Sequence, residues 1–372
     1  MAAKKKNIIS KASPHTIKKF ELIEEYIKSW AQKLLLTESC NGLIFIDCMC
    51  NSGVYTDDAG QLVKGTAVRV SEALREASRS YTEKNIHIYL NDKDKARVDE
   101  LKKHLPQDER NFKIVTSCGD AHELLRTIGP QLYGTGHLHY FLLYDPYDAT
   151  IDWEALLPFF RNWGEVMINH MVSDPVRAIT SAKKKTTKAK YENTYLEDFE
   201  KLVPYGSDKK AYEARVEEII NSLKGARRYY VSAFPFYNTQ NSLVYNLIHC
   251  TSNKEGFKLY KKSAWKVFGA QSSTKHSVEN RQLSFNLFGE IAEEESCLHV
   301  IDIAKYLQRS FRGRKQVPLD EMWELLDNHP IFPSEGFRNE VKSDLTDFFG
   351  AKIEQIVNPD TGKKEMVISF SS

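Results

Sequence analysis

Five short apolar segments, each ending in polar residues, constrain the fold of this chain more than any other feature. Helical patterns lie between them, so strands and helices alternate through the first half of the sequence. The segments are Leu43–Asp47, Ile86–Leu90, Phe112–Thr116, His139–Tyr144 and Glu165–Asn169. This alternation predicts an α/β domain with a doubly wound parallel sheet. The carboxyl ends of parallel strands share one edge, where open α/β sheets bind their ligands.

The end of the fourth segment carries the most chemistry. Asp145, Pro146, Tyr147 and Asp148 follow the apolar run directly. Proline cannot donate a hydrogen bond to the ladder, so the strand is expected to stop there. The corner offers a carboxylate, a carbonyl outside the ladder and an aromatic ring, which together suit a planar group that bears an amine. A polar strand end with a turn proline explains the same residues equally well.

Polar residues also follow the first three segments. The loop Cys48–Gly53 comes after the first, Asp92 and Asp94 after the second, and Gly119 and Asp120 after the third. An acid after the second strand suits a ribose, and Gly-Asp after the third suits the edge of an adenine. Each Asp after the second strand can equally cap the next helix. The Gly-x-Gly-x-x-Gly fingerprint is absent, which makes a dinucleotide-dependent redox enzyme the least favoured class.

The composition is that of an ordinary globular protein. Of the 372 residues, 41% are hydrophobic and 27% charged, and the net charge of +2 by itself says little about nucleic acid. The six cysteines include no Cys-x-x-Cys pair, so neither a disulfide framework nor a metal site is predicted. No apolar run is long enough to cross a bilayer, and no signal peptide is evident. We therefore expect a cytoplasmic protein without a membrane partner; the oligomeric state stays open.

The chain divides into two predicted domains. Residues 1–268 would form the α/β domain, which begins with an amphipathic helix from Pro14 and contains a helical insertion at about residues 174–225. Tyr229–Phe234 and Leu243–Cys250 predict a hairpin at the edge of the sheet. Residues 269–297 are predicted to be a linker, and residues 298–372 a winged-helix domain.

The winged-helix prediction follows from the order of the last elements, three helical patterns and then two strands. The helical patterns are Leu298–Arg309, Pro318–Asn328 and Gly336–Phe349, and the strands are Ile353–Val357 and Glu365–Phe370, joined by the turn Asn358–Gly362. The side chains predicted to contact nucleic acid are Arg338, Asn339, Lys342, Arg312 and Arg314. Glu340 and Asp344 lie on the same third helix and would repel DNA, so a winged helix that binds protein stays open.

These motifs resemble a known family. Five βα units and a terminal hairpin are similar to the Rossmann-like fold of S-adenosylmethionine-dependent methyltransferases. More closely, most of residues 17–266 resembles the three-Cys-motif partner (TcmP) family of methyltransferase-like proteins. That resemblance rests on Ile46-Asp47 with Gly53 and Tyr55, on Asp145-Pro146-Tyr147 with Ile151-Asp152-Trp153, and on Val244–Ile248. Some members of the family carry a C-terminal winged helix.

The resemblance implies both a cofactor and a chemistry. S-adenosylmethionine would be bound by Asp47, Asn51, Gly53, Asp92, Gly119 and Asp120. Asp145 and the Pro146 carbonyl would accept hydrogen bonds from a target amine, Tyr147 would stack on a base, and Asp148 would accept a proton. The substrate would be DNA or RNA, and a three-Cys-motif protein would be the partner.

The glycine loop departs from the family pattern, which is usually Asp-x-Phe-Ala-Gly-Pro-Gly. Met49, Cys50, Asn51 and Ser52 replace its middle here. A second class of function therefore stays open, a non-catalytic binding module for nucleic acid or protein that is built on a degenerate methyltransferase core.

Overall fold

The computed structural model describes residues 7–132, 137–160, 164–223, 229–276, 297–358 and 362–371. The chain forms two compact units, Met1–Phe257 and Lys258–Ser372. This division falls earlier than residue 268, where the sequence predicts the first domain to end. Most of the predicted linker, residues 277–296, lies outside the described residues.

The first unit contains an alternating series of strands and helices. In chain order its elements are β1 (Ser10–Lys11), α1 (Pro14–Leu35), β2 (Gly42–Asp47), β3 (Val54–Thr56), β4 (Leu62–Lys64), α2 (Thr66–Ser80), β5 (Asn85–Asp92), α3 (Lys95–Leu101), β6 (Phe112–Cys118), α4 (Ala121–Gln131), β7 (Leu138–Tyr144), α5 (Trp153–Leu156), β8 (Gly164–His170), α6 (Ser173–Ala178), α7 (Lys185–Tyr195), α8 (Phe199–Leu202), α9 (Lys209–Leu223), β9 (Tyr230–Tyr237) and β10 (Leu243–Thr251). The helix α10 (Lys254–Phe268) begins in the first unit and continues into the second.

Seven of these strands form one sheet in the order β6-β5-β2-β7-β8-β10-β9. The five strands from β6 to β8 are parallel, and β10 runs antiparallel to both β8 and β9. The α/β fold and the edge hairpin predicted from the sequence are therefore confirmed. The strand order reverses between β5-β2 on one side and β7-β8 on the other, which places the topological switch point at the ends of β2 and β7.

Burial explains why these segments are strands. All six residues of β2 and all seven of β8 are buried, as a parallel strand covered on both faces requires. The helix α1 packs its apolar side onto the sheet, where the ring of Tyr26 lies 5.8 Å from that of Phe141 in β7. This helix begins at Pro14, as the sequence predicts, and Ser13 is at its N-cap.

Two predicted helices differ from those observed. The sequence pattern near Trp153–Trp163 predicts one helix. The structure has only α5 there, followed by a 3₁₀ turn at Leu157–Phe159, because Pro158 cannot donate an α-helical hydrogen bond; Trp163 lies outside the described residues. In the insertion, the helical periodicity of Tyr191–Leu202 predicts one helix, and this extent is wrong. α7 starts earlier and ends at Tyr195, because Leu196 takes a left-handed conformation with φ 46°.

The second unit keeps the predicted order of three helices and a hairpin. After the end of α10 its elements are α11 (Val300–Ser310), β11 (Val317–Pro318), α12 (Leu319–Asn328), α13 (Arg338–Asp347), β12 (Lys352–Val357) and β13 (Lys364–Ser369). The strands form an antiparallel sheet in the order β11-β13-β12, in which β11 is a strand that the sequence did not predict. Asn358 and Gly362 lie at the hairpin turn, whose residues 359–361 are outside the described part.

Among the described residues, no helix combines the length and the apolar character needed to span a membrane.

Candidate functional site

A cleft opens at the carboxyl edge of the sheet, where β5, β6 and β7 end. It encloses about 650 Å³ of empty space, part of which is open solvent. Six residues predicted from the sequence line it: Asp92, Gly119, Asp120, Pro146, Tyr147 and Asp148. Strands far apart in the chain therefore bring the predicted cofactor and substrate residues to one place, as the shared edge of a parallel sheet implies.

Asp92 lies at the end of β5 and is 2% exposed. Its Oδ1 accepts a hydrogen bond from the Asp94 amide at 2.8 Å, and its Oδ2 accepts one from the Asn51 amide at 3.0 Å. The hydroxyl of Tyr147 donates to the same Oδ2 at 3.4 Å. Asp92 thus ties the loop after β2 to the Asp-Pro-Tyr corner after β7. The cap of α3 is Asp94, which accepts from the Ala96 amide.

Gly53 and Gly119 differ in what surrounds them. A Cβ on Gly53 would lie 2.3 Å from Leu101 Cδ1 and 2.9 Å from Val68 Cγ2, and the backbone φ there is +70°. Gly53 therefore has a packing and a conformational reason to be glycine. A Cβ on Gly119 would meet nothing within 4 Å, so the space beside Gly119 is open. The cleft is therefore open beside Gly119, whereas protein side chains fill the space beside Gly53.

Asp120 is the N-cap of α4. Its Oδ1 accepts hydrogen bonds from the amides of His122 and Glu123, at 2.9 and 3.2 Å. This is the capping role that Asp commonly takes at a helix start. The side chain stays 56% exposed beside the cleft. Next to it, His122 Nε2 lies 2.8 Å from the Tyr144 hydroxyl, a contact that sequence reasoning missed.

Asp145 lies within an internal network. Its Oδ2 is 2.5 Å from Lys19 Nζ, and its Oδ1 accepts from Asn169 Nδ2 at 2.6 Å. Lys19 is only 6% exposed, and its ammonium lies 5.2 Å from the centre of the Tyr245 ring. Sequence reasoning missed Lys19, although a signal was present, since Lys19 shares the i, i+4, i+7 face of α1 with Ile23 and Tyr26.

Asp47, at the end of β2, is buried close to this network. Burial, and after it the charge of Asp145, raises the pKa of Asp47 to about 8. Both effects favour the protonated form of Asp47, while the charge of Asp145 is balanced by the ammonium of Lys19. The Asp47 Oδ1 accepts a hydrogen bond from the Met49 amide at 3.2 Å. Asp47 is close enough to feel the charge of Asp145, and neither of these two carboxylates is among the residues that line the cleft.

Tyr147 projects from the corner with 55% of its surface exposed. Arg97, from α3, donates a hydrogen bond to the Tyr147 hydroxyl, and its guanidinium carbon lies 5.2 Å from the ring centre. Burial of the hydroxyl end and the nearby charge of Asp92 raise the pKa of Tyr147, and Arg97 partly offsets them. The ring is thus held at the mouth of the cleft. Arg97 was not among the predicted residues.

Asp148 pairs with the helical insertion. Its Oδ2 lies 3.2 Å from Lys190 Nζ of α7, which also contacts Asp174 at 2.9 Å. Burial works to raise the pKa of Asp148, but hydrogen bonds from Thr150 and the charge of Lys190 outweigh it and lower that pKa. Asp148 is thus a weak base at neutral pH, which argues against its predicted role as proton acceptor.

The residues predicted to contact nucleic acid lie in the second unit. Arg338, Asn339 and Lys342 are on α13, and Arg312 and Arg314 follow α11. The Arg338 guanidinium lies over the Trp323 ring, with 5.1 Å between its carbon and the ring centre. Arg314, Arg312 and Asn339 are all exposed, and Arg314 is paired with Glu321 at 2.8 Å. The positive charge of Arg314 is therefore already partly balanced within the protein.

Comparison with known proteins gives distant structural likenesses. No protein-family model matches the sequence, and no curated protein matches it either. One similar solved structure is a Staphylococcus aureus protein provisionally named a caffeoyl-CoA O-methyltransferase, with 9% identity and a TM-score of 0.30 over 62% of this chain and 83% of that chain. Another is loganic acid methyltransferase with SAH, with 11% identity and a TM-score of 0.29 over 68% of this chain and 83% of that one. Likenesses at these scores are too distant to assign a function to this chain.

Proposed function

We propose that the first unit is an S-adenosylmethionine-dependent methyltransferase that acts on an amine of a nucleic acid. In this proposal the second unit is a winged helix that contacts the nucleic acid, and a three-Cys-motif protein is the partner. One observation carries the proposal. Asp92, Gly119 and Asp120 meet the Pro146–Asp148 corner at a single cleft, beside the switch point of a sheet that ends in an antiparallel hairpin.

The adenosine half of the cofactor fits the residues that are present. The open space beside Gly119 leaves room for a ring, and Asp120 is half-exposed next to it. Asp92 accepts two hydrogen bonds from backbone amides and one from the Tyr147 phenol, and it can accept a ribose hydroxyl in place of that phenol. Gly53 would not border the ligand directly, because Leu101 and Val68 fill the space beside it.

The cofactor, when bound, would supply an activated methyl group, so the protein mainly has to position the acceptor. Asp145 is suited to this task. Lys19 and Asn169 fix its two oxygens and leave further acceptor positions for the hydrogens of an amine. The pairing with Lys19 also balances the charge of Asp145, which suits a neutral amine with a free lone pair. The exposed ring of Tyr147 can stack on a flipped or single-stranded base.

A non-catalytic binding module is the second candidate. Two observations favour it, since both oxygens of Asp145 already have protein partners and the space beside Gly53 is filled by protein. Such a module would keep the sheet and the cleft without transferring a methyl group.

Calorimetry with S-adenosylhomocysteine tests the cofactor assignment. We expect saturable binding by the wild type and roughly tenfold to a hundredfold weaker binding by Asp92→Asn, because a hydrogen bond to a charged acceptor is lost. Asp94→Asn is the matched control, since Asp94 caps α3 and does not line the cleft. If the wild type gives neither heat nor a thermal shift with the ligand at millimolar concentration, the proposal fails.

A further inference from the structure

The hydroxyl of Tyr147 donates a hydrogen bond to Asp92, the carboxylate that would bind a ribose. Asp92 borders the cleft but is only 2% exposed, and its Oδ2 lies 3.4 Å from the Tyr147 hydroxyl. Arg97, on α3, donates a hydrogen bond to the same hydroxyl. The rest of Tyr147 is largely exposed. The side chain therefore turns its polar end inward over Asp92 and its ring towards solvent.

We propose that Tyr147 closes the nucleoside subsite by holding its hydroxyl on Asp92, and that a ligand with a ribose diol must displace it to bind. This inference rests on the proposed function and deepens it. The displaced ring is the one that would stack on the target base. Tyr147 would thus couple the two subsites and impose an order, in which the cofactor binds first and the base second.

The contact between Tyr147 and Asp92 is weak enough for a ligand to replace, although Arg97 also holds the phenol. The hydrogen bond from Tyr147 to Asp92 is long at 3.4 Å. Arg97 Nε is buried without a hydrogen-bond partner among the described residues, which is an unfavourable arrangement for a charged donor. Ribose hydroxyls can donate a hydrogen bond to Asp92 in place of the phenol. A modest gain in affinity is therefore expected when the phenol is removed.

If Tyr147 were an ordinary ligand-contacting residue, its removal would have the opposite effect on affinity. If Tyr147 helped to hold the nucleoside in the cleft, removal of its hydroxyl or ring would weaken binding. If Tyr147 closes the subsite, the same removal strengthens binding, because the ligand no longer competes with the phenol for Asp92. The sign of the change thus separates the two roles.

The experiment measures the Kd of S-adenosylhomocysteine by calorimetry for the full chain and three variants. We expect Tyr147→Phe to bind roughly twofold to tenfold more tightly than the wild type, the usual worth of one hydrogen bond. Tyr147→Ala should also bind S-adenosylhomocysteine more tightly than the wild type. Tyr81→Phe is the control, since Tyr81 lies at the C-terminus of α2 and does not line the cleft; its affinity should stay that of the wild type.

The outcomes separate this inference from the function on which it rests. Wild-type binding with equal or weaker binding by both Tyr147 variants overturns the closure and leaves the cofactor assignment in place. Absence of binding in every protein overturns the closure and the cofactor assignment together.

Discussion

At the scale of the residue, Lys19 determines the surroundings of Asp145. Lys19 is only 6% exposed, and its ammonium lies 2.5 Å from the Asp145 carboxylate and 5.2 Å from the centre of the Tyr245 ring. Removing one member of a buried pair leaves the other charge uncompensated, which usually costs about 3–5 kcal/mol. Asp145 is 22% exposed, so the lower end of that range applies.

We therefore expect Lys19→Met to lower the free energy of unfolding by about 3 kcal/mol in urea denaturation. Lys18→Met is the control, because Lys18 and Glu21 form an exposed pair that is worth about 0–1 kcal/mol. The double variant Lys19→Met with Asp145→Asn should be more stable than Lys19→Met alone, since no unpaired charge remains. Equal stability of Lys19→Met and Lys18→Met would show that the internal pair contributes nothing.

At the scale of the element, the loop after β2 and the loop after β6 each contain a glycine, and the two glycines differ in the space around them. Gly53 lies where α2 and α3 pack against the loop, through Val68 and Leu101. Gly119 lies immediately before α4, beside open space in the cleft. Substitution by alanine should therefore affect stability at one position and ligand binding at the other.

Gly53→Ala should destabilise the protein by about 1–3 kcal/mol, because its methyl group overlaps Leu101 and its φ of +70° is strained for alanine. Gly119→Ala should change the free energy of unfolding by less than about 0.5 kcal/mol. It should weaken the binding of S-adenosylhomocysteine, since the added methyl group enters the cleft. Thermal unfolding and calorimetry on the same samples measure both effects. Unchanged ligand affinity in Gly119→Ala would place the ligand elsewhere.

These local features also show what a sequence can and cannot predict about the site. The ends of β5, β6 and β7 were expected to meet, because parallel strands must share an edge, and the cleft at Asp92, Gly119 and Pro146 follows from that rule alone. The pairing of Lys19 with Asp145 was not predicted, because 126 residues separate the two along the chain and no sequence periodicity links them. Arg97 was missed for the same reason, since it meets Tyr147 only after α3 packs beside the corner that follows β7.

At the scale of the whole molecule, the order of elements was predictable and their exact extents were not. The βα repeats gave the five parallel strands and the edge hairpin, since both follow from apolar runs and turns. The break of α7 at Leu196 and the two-residue strand β11 carry no comparable signal. The first unit holds the cleft and the second holds the basic residues of α13, so the function that we propose needs both units.

Transfer of a labelled methyl group from S-adenosylmethionine to pooled cellular nucleic acid tests the central claim most directly. The reaction is run with the full chain and with Asp145→Asn as the matched variant. Each protein is tested with and without the three-Cys-motif protein that we propose as its partner. We expect label in nucleic acid with the wild type, and a sharp loss with Asp145→Asn although S-adenosylhomocysteine still binds, because in our proposal Asp145 would contact the amine and not the cofactor. No transfer by a wild type that binds the cofactor, with the partner present, would contradict the account and favour the non-catalytic module.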